Sequence, residues 1–454
     1  MENKTKIITT KTIETIILIT LVVFSTFFVE NSAIGIAIIF LSFLLIKNPE
    51  YLFPPLMIAA LMNEDAFIIG GITASRYFTL LVIFIGFFHM LFQKKKLITG
   101  GTFIYLIVLG LYIFFSALLS DSGITDGLMA MVLNIALVVV MSGLRFKNLS
   151  SVILCMAIGG AELLICILNS YFNTTANTYF GFYQLIEGTN NNLLGITLAQ
   201  IGALFIGLFF FRLNSFSVGQ AKKRYIFLIP VVLASFLLFV SGSRSASFGL
   251  VVSIIISFVY DMNRKSGIGG KSIAYLLIIV FLYLVVGYLL ENNPLLAKRF
   301  TLEQIQETGG TGRFQIWSCV WNNIVLNYPV FGIGFGGLNV AKVLYENGIY
   351  HSGTHNLLLD MLAQLGILGC LYLVFGLLWL LKRTIKQCSN VPQMIFPLLM
   401  LVTAIGNGVG ENIYTARFFW IDIGILLWAS LGSRVRYLEY QNKNYNSNSQ
   451  GRFT

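Results

Sequence analysis

Long apolar runs separated by short polar segments dominate the chain. Since about 20 apolar residues span a bilayer as a helix, this pattern predicts transmembrane helices. Fourteen runs qualify, at 13–29, 32–46, 51–71, 77–92, 103–119, 128–143, 150–168, 193–211, 225–240, 247–260, 273–290, 356–381, 393–409 and 417–431. The third run and the short tenth are the weakest, so the sequence predicts an all-α, polytopic transmembrane helix bundle of about 12–14 spans.

The composition agrees with this prediction. Of the 454 residues, 57% are hydrophobic and 11% charged, whereas a soluble protein carries about 25% charged residues. We see no convincing cleavage site after the first apolar run, so we expect that run to stay as an anchor. The five cysteines form no CxxC pair, and there is no HExxH motif. We therefore predict neither a metal site nor a cofactor.

The net charge of +11 reflects membrane topology rather than nucleic-acid binding. If both termini are cytoplasmic, the basic clusters between the runs fall on the inner side, as the positive-inside rule requires. Of the 30 Lys and Arg residues, this arrangement leaves seven outside, namely Arg76, Arg244, Lys298, Arg299, Arg313, Lys342 and Arg417. Outward basic residues oppose that topology, so we expect them to bind something, and Arg suits phosphate oxygens.

Two predicted external segments are long enough to carry function. One is polar and aromatic, from Ser170 to Asn192, and the other is a large loop at 291–354. Within the large loop, apolar residues at helical spacing predict an amphipathic helix from Gly312 to Asn327. Its tryptophans suit the headgroup level of a membrane.

Three residues at predicted helix starts are candidates for chemistry. Arg244 in "SGSRSASFGL" stands at the mouth of a helix, where backbone amides favour an anion. The alternative is an arginine that snorkels to the interface. Arg313 in "GGTGRFQIW" begins the amphipathic helix, with a solvated loop charge or a lipid-headgroup contact as its alternative.

His355 in "GTHNLLLDMLAQLGILG" precedes a long apolar helix. The helix dipole favours neutral imidazole there, which accepts a proton near pH 7. The alternative is a capping or headgroup-facing histidine, and His351 is a competing candidate. Taken together, two outward arginines and one outward histidine suit a pyrophosphate lipid, with the histidine deprotonating a hydroxyl. Gly366 and Gly369 are predicted to permit close helix packing.

The segments "SGSRSA", "TGRFQIW…NYPVFGIGFGG" and "HNLLLDMLAQLGILG" together resemble the three landmarks of the O-antigen polymerase/ligase superfamily, which comprises Wzy-type polymerases and WaaL-type ligases. The last segment fits the H-[NSQ]-x9-G-x-x-G pattern of that superfamily. The resemblance covers about residues 180–380. It implies a GT-C-like, metal-independent glycosyltransferase that acts on undecaprenyl-pyrophosphate-linked oligosaccharide at the outer leaflet and inverts the anomeric carbon.

Carried over residue by residue, the resemblance implies that Arg244 and Arg313 bind pyrophosphate and that His355 activates the acceptor hydroxyl. The turn "GTNNNLLG" resembles an Asn-containing turn of the family and indicates Asn192, although the usual Phe and Pro before that Asn are missing.

Further candidates come from the predicted topology alone. They are Arg76 and Arg417 as further pyrophosphate ligands, with Glu411 near Arg417 at an outer helix end. A structural Glu–Arg pair is the alternative for Glu411 and Arg417. The candidate contacts of the acceptor or of a sugar are Asn192, His351 and Glu411. Glu162 lies inside the seventh apolar run, where a charge is costly and a functional role is the default hypothesis. The alternative is a neutral carboxyl that is hydrogen-bonded.

These features predict a polymerase that joins lipid-linked repeat units into capsule or O-antigen in the bacterial cytoplasmic membrane, with its active site on the extracytoplasmic face. The alternatives are a ligase that transfers glycan to lipid A-core and a flippase or transporter. Besides the lipid-linked substrate and the bilayer, the expected partners are a chain-length regulator and a flippase. We predict N-terminal helices at 1–170, a catalytic region at 171–381 and C-terminal helices with a cytoplasmic tail at 382–454.

Overall fold

The computed structural model describes 68–69, 72–73, 100–120, 126–144, 149–173, 185, 191–211, 226–263, 290–301, 312–389 and 391–430, with scattered positions in 76–87, 280–288 and 303. Twelve helices of this part are named here in chain order. They are α1 (Gly100–Leu118), α2 (Asp126–Gly143), α3 (Leu149–Asn173), α4 (Asn191–Phe210), α5 (Leu228–Val240), α6 (Arg244–Asn263), α7 (Pro294–Arg299), α8 (Arg313–Val320), α9 (Gly337–Glu346), α10 (Leu357–Cys388), α11 (Ile395–Asn407) and α12 (417–430).

The helices confirm the predicted all-α, multi-pass membrane protein. Nine predicted runs coincide with helices, from the run at 103–119 to the run at 417–431, apart from the one at 273–290. By length and composition, five helices in the described residues are able to cross a membrane, namely α1, α3, α4, α6 and α10. The predicted runs at 13–29 and 32–46 lie outside the described residues, and those at 77–92 and 273–290 are described only at scattered helical positions.

The end of the predicted run at 51–71 is not helical, and the prediction is wrong there. Ile68–Ile69 pairs in antiparallel fashion with Ile72–Thr73. The physical reason is local, because a Gly-Gly pair between two pairs of β-branched residues favours a tight hairpin over a helix. The rest of that run lies outside the described residues.

The centre of the bundle is α4, which is buried from Leu194 to Phe210 and packs against α5, α6 and α11. Small residues let these helices approach closely. A Cβ added to Gly249 of α6 would lie 2.4 Å from the Thr403 carbonyl oxygen of α11. Backbone contact of this kind is the usual way to pack helices in a bilayer, where apolar burial gives little preference for protein over lipid.

The helix α10 is broken at Gly366, where φ is 64° and ψ is −173°. The amide of Ile367 bonds to the Pro329 carbonyl, and the Ala363 carbonyl accepts from the Ile333 amide. The loop at 329–333 thus supplies partners that the interrupted helix lacks. Gly366, which was predicted to be a packing position, is therefore a helix break. Gly369 does pack closely, because a Cβ added there would lie 2.7 Å from the Tyr112 ring.

The predicted amphipathic helix is present, as α8 followed by a π-helical turn at Trp321–Val325. Its buried residues form a second small core with α9, and they include Ile316, Val320 and Ile324. Trp317 packs against this core and Trp321 is exposed, so the apolar stripe is narrower than the sequence predicts. This small core fixes the position of Arg313, the first residue of α8.

Candidate active site

His355 lies two residues before α10, in a backbone conformation with φ of 48°. It is the one non-glycine residue with positive φ in the described part of the chain. The next residue, Asn356, caps the helix by accepting the Leu359 amide at 3.0 Å. Left-handed backbone is costly for a residue with a Cβ, and such conformations cluster at functional sites. The predicted place of His355 at the mouth of a helix is confirmed.

A single carboxylate joins three of the predicted site residues. Glu411 Oε1 lies 3.3 Å from Arg313 Nη2 and accepts a hydrogen bond from Asn192 Nδ2 at 2.5 Å. Glu411 Oε2 lies 3.3 Å from His355 Nδ1. The Glu411 residue is only 5% exposed. Asn192 stands in the first turn of α4, so segments far apart in the chain meet at one buried carboxylate.

This contact determines which ring nitrogen of His355 is available. An ionised carboxylate only accepts hydrogen bonds, so Nδ1 must carry the proton that faces Glu411. The other nitrogen, Nε2, is then left as an acceptor. The pair has the arrangement of a base and its orienting carboxylate.

The two arginines lie at neighbouring helix starts. Arg244 is the first residue of α6 and Arg313 the first residue of α8. Their positive charges are close enough to interact. Gly410 lies between the starts of α6 and α8. A Cβ added to it would be 2.8 Å from the Ser245 Cβ and 3.1 Å from Arg313 Nη1. Glu411 carries one negative charge against two guanidinium groups, which favours an anion at this point.

His351 also lies in this cluster. Its ring packs edge-on against the His355 ring, with the centroids 5.7 Å apart. Burial, His355 and Arg313 together lower the pKa of His351. This burial is only partial, because the residue as a whole counts as exposed, and no described contact links it to the Glu411 carboxylate.

A buried polar network supports the loop that carries His355. Asn412 Oδ1 lies 3.0 Å from both the Asn356 amide nitrogen and Thr354 Oγ1. Thr354 also bonds to Asp360, whose other oxygen accepts from Gln364 and Tyr414. Sequence reasoning missed Asn412, Thr354 and this network. The signal in the sequence was Asp360 followed four residues later by Gln364 in an apolar helix, a spacing at which the two side chains are able to bond.

Two further arginines and one glutamate were predicted to have a role. Arg417 is buried at the start of α12, and Arg76 is a half-buried helical residue. Glu162 is buried within α3, and neither of its oxygens has a hydrogen-bond partner in the described part of the chain.

We find no candidate metal site in the part of the chain that the structure describes. Those residues contain no group of three His, Cys, Asp or Glu side chains placed to hold an ion. No disulfide links the cysteines at 155, 166, 319, 370 and 388, all of which lie in the described part of the chain.

An all-α, multi-pass membrane protein with paired arginines and a carboxylate-held histidine is the class that the fold and the cluster define. Residues 229–374 match the family described as O-antigen ligase, which confirms the predicted resemblance to the O-antigen polymerase/ligase superfamily. The match supports a membrane glycan-processing enzyme. No curated protein matches the chain. The matched segment includes Arg244, Arg313 and His355, whereas Asn192 and Glu411 lie outside it.

Proposed function

We propose that this protein is a polymerase that joins undecaprenyl-pyrophosphate-linked oligosaccharide repeat units into a capsule or O-antigen type of surface polysaccharide. The observation that carries the proposal is the bridge that Glu411 makes between Arg313 and His355. The Arg313 guanidinium and the His355 imidazole lie on two sides of one carboxylate, which supports their roles as anion-binding group and base. A glycosyl transfer with a pyrophosphate leaving group needs both of these groups.

Arg244 and Arg313 hold the pyrophosphate of the donor. Their guanidinium groups are suited to bidentate contacts with phosphate oxygens. The Ser243 and Ser245 hydroxyls flank Arg244, are buried, and have no hydrogen-bond partner in the described residues. Donors of this kind beside two arginines support the binding of a multiply charged oxygen anion.

His355 Nε2 takes the proton from the acceptor sugar hydroxyl. The hydroxyl oxygen forms a bond to the anomeric carbon of the donor, and the bond from that carbon to the pyrophosphate oxygen breaks. The electron pair leaves with the lipid pyrophosphate, whose charge the two arginines stabilise. Attack opposite the leaving group inverts the anomeric carbon. Glu411 stabilises the imidazolium that forms, and no metal ion is needed in this scheme.

The proposed setting follows the charge pattern of the sequence. The site opens on the extracytoplasmic face of a bacterial cytoplasmic membrane, and 171–381 is the catalytic region, which Glu411 and Asn412 extend from the C-terminal helices. A chain-length regulator and a flippase are the proposed partners. A ligase that transfers glycan to lipid A-core uses the same residues, and the description of the matched family favours it as the second candidate.

The test is a reaction of the purified protein with defined lipid-pyrophosphate oligosaccharides. A polymerase yields a ladder of lipid-linked products, in the presence of EDTA as well as in its absence. Transfer only to added lipid A-core contradicts polymerisation in favour of ligation. His355→Ala should abolish product while lipid-linked substrate still binds, and His351→Ala is the matched control that retains most activity. Unchanged polymer from His355→Ala excludes its role as the base.

A further inference from the structure

A cavity of about 630 Å³ lies against the loop that packs on the break in α10. Its walls come from the last turns of α1, the loop at 328–334 and one face of α9. The lining combines aromatic and polar side chains with three aliphatic ones, Leu119, Ile333 and Val343. The aromatic and polar side chains are those of Tyr112, Phe115, Ser116, Tyr328, Phe331, Asn339, Lys342 and Glu346. None of the functional roles proposed above uses this cavity.

Several groups in this lining are available to a ligand. Lys342 and Glu346 are exposed and one helical turn apart on α9, and neither has an ion-pair partner within 4.0 Å in the described part of the chain. Phe331 is 64% exposed and Tyr328 is 54% exposed. Exposed aromatic faces beside charged groups offer both apolar contact and strong hydrogen bonds.

This mixture matches a sugar better than a lipid tail. A pyranose has a C–H face that packs on an aromatic ring and an edge of hydroxyls that bonds to ammonium and carboxylate groups. A second cavity of about 530 Å³, between α1, α10 and α12, shows the contrast. It is lined mainly by Leu, Phe, Trp and Tyr side chains, among them Leu106, Leu109 and Leu373. That lining suits an acyl or prenyl chain.

The first cavity is also tied to the cluster through α10. Ile333, which lines the cavity, donates its amide to the Ala363 carbonyl of α10. The next residue of α10, Gln364, accepts from the Gly336 amide and bonds to Asp360 in the network that supports His355. Gln364 is seven residues from Leu357, the first residue of α10, which corresponds to about 10 Å along a helix. An oligosaccharide of a few sugars is long enough to span that distance.

We propose that this cavity is a saccharide-binding subsite, which holds a sugar of the glycan chain while its reacting end lies at His355. The inference rests on the proposed function and names where the glycan, as distinct from the pyrophosphate, is recognised. Tyr328 and Phe331 supply the stacking faces, and Lys342 and Glu346 bind hydroxyls. The subsite determines which repeat unit is accepted.

The experiment uses the full-length His355→Ala protein in nanodiscs, so that no turnover occurs. The probe is the repeat-unit oligosaccharide released by mild acid from the producing strain's own lipid-linked precursor. Binding is followed by titration calorimetry. Adding Tyr328→Ala with Phe331→Ala should weaken binding about tenfold or more. The matched control is Tyr345→Ala, because Tyr345 is 51% exposed on the same α9 helix but outside the cavity; its affinity should stay within about twofold.

A second probe, polyprenyl phosphate without sugar, separates a lipid occupant from a saccharide. Its affinity should not change in the double variant. Loss of lipid-phosphate binding with unchanged oligosaccharide binding overturns the proposal, as does the absence of oligosaccharide binding in the first place. Glu346→Gln, a surface change that leaves the fold intact, should also weaken oligosaccharide binding. Failure of the polymerase proposal appears separately, in the product ladder of the wild-type enzyme.

Discussion

Glu411 Oε2 lies 3.3 Å from His355 Nδ1, so a buried carboxylate and a histidine from segments 56 residues apart form one unit. The same carboxylate contacts Arg313 through its other oxygen. One residue therefore orients the proposed base and fixes an arginine of the proposed pyrophosphate site. In the proposed mechanism, this relationship gives Glu411 the role of a positioning residue.

Glu411→Gln tests this role because it keeps the shape of the side chain and removes its charge. The amide no longer stabilises imidazolium and no longer selects the Nδ1–H tautomer. We expect kcat to fall about 100-fold or more, with KM for lipid-linked substrate within about threefold. Steady-state kinetics at saturating substrate measure this split.

The matched control for that substitution is Glu303→Gln, which changes an exposed glutamate in the same way. Its kcat should equal that of the wild type. A Glu411→Gln enzyme with kcat within twofold of wild type would show that the carboxylate does not act on the base.

The backbone of His355 gives a second prediction. With φ at 48°, any residue with a Cβ is strained, whereas glycine adopts this conformation freely. His355→Gly and His355→Ala should both lack activity, but the glycine variant should be the more stable by about 1 kcal/mol. Thermal unfolding in one detergent compares them. Equal midpoints would mean that the loop relaxes when the ring is lost.

Sequence reasoning found Arg244, Arg313 and His355 because each stands where a glycine- or serine-rich segment meets a helix. It did not predict the partners of Glu411. Arg313 is 98 residues away from Glu411 in the sequence and becomes its neighbour only through packing. The break at Gly366 was missed for a similar reason. The apolar pattern runs on through α10, and only the loop at 329–333 shows why the helix stops.

His351 gives a pH prediction. Burial and the charges of His355 and Arg313 lower its pKa in the folded protein below the usual value of 6.5. The unfolded chain therefore binds more protons as pH falls below about 6.5, and folded stability declines there. His351→Gln removes this contribution. We expect a higher unfolding midpoint than wild type at pH 5.5 and no difference at pH 8, and a difference of equal size at both values would contradict the electrostatic explanation.

Gly366 gives the strongest prediction about the fold. Its φ of 64° and ψ of −173° lie in a region that essentially only glycine occupies. A Cβ there would also lie 2.2 Å from the Val330 carbonyl oxygen, which is backbone and unable to move aside cheaply. Gly366→Ala should destabilise the protein by about 3 kcal/mol and separate the loop at 329–333 from α10.

The control for Gly366→Ala is Gly101→Ala in α1, where an added Cβ would meet nothing within 4 Å. There the substitution should be neutral or slightly stabilising, since alanine favours helix over glycine. The thermal unfolding midpoints of the two variants in the same detergent measure this difference in stability. If the midpoint of Gly366→Ala matches that of Gly101→Ala, then α10 is able to run unbroken. The loop at 329–333 would then not be locked against it, and the wall of the proposed saccharide subsite would not be fixed by this glycine.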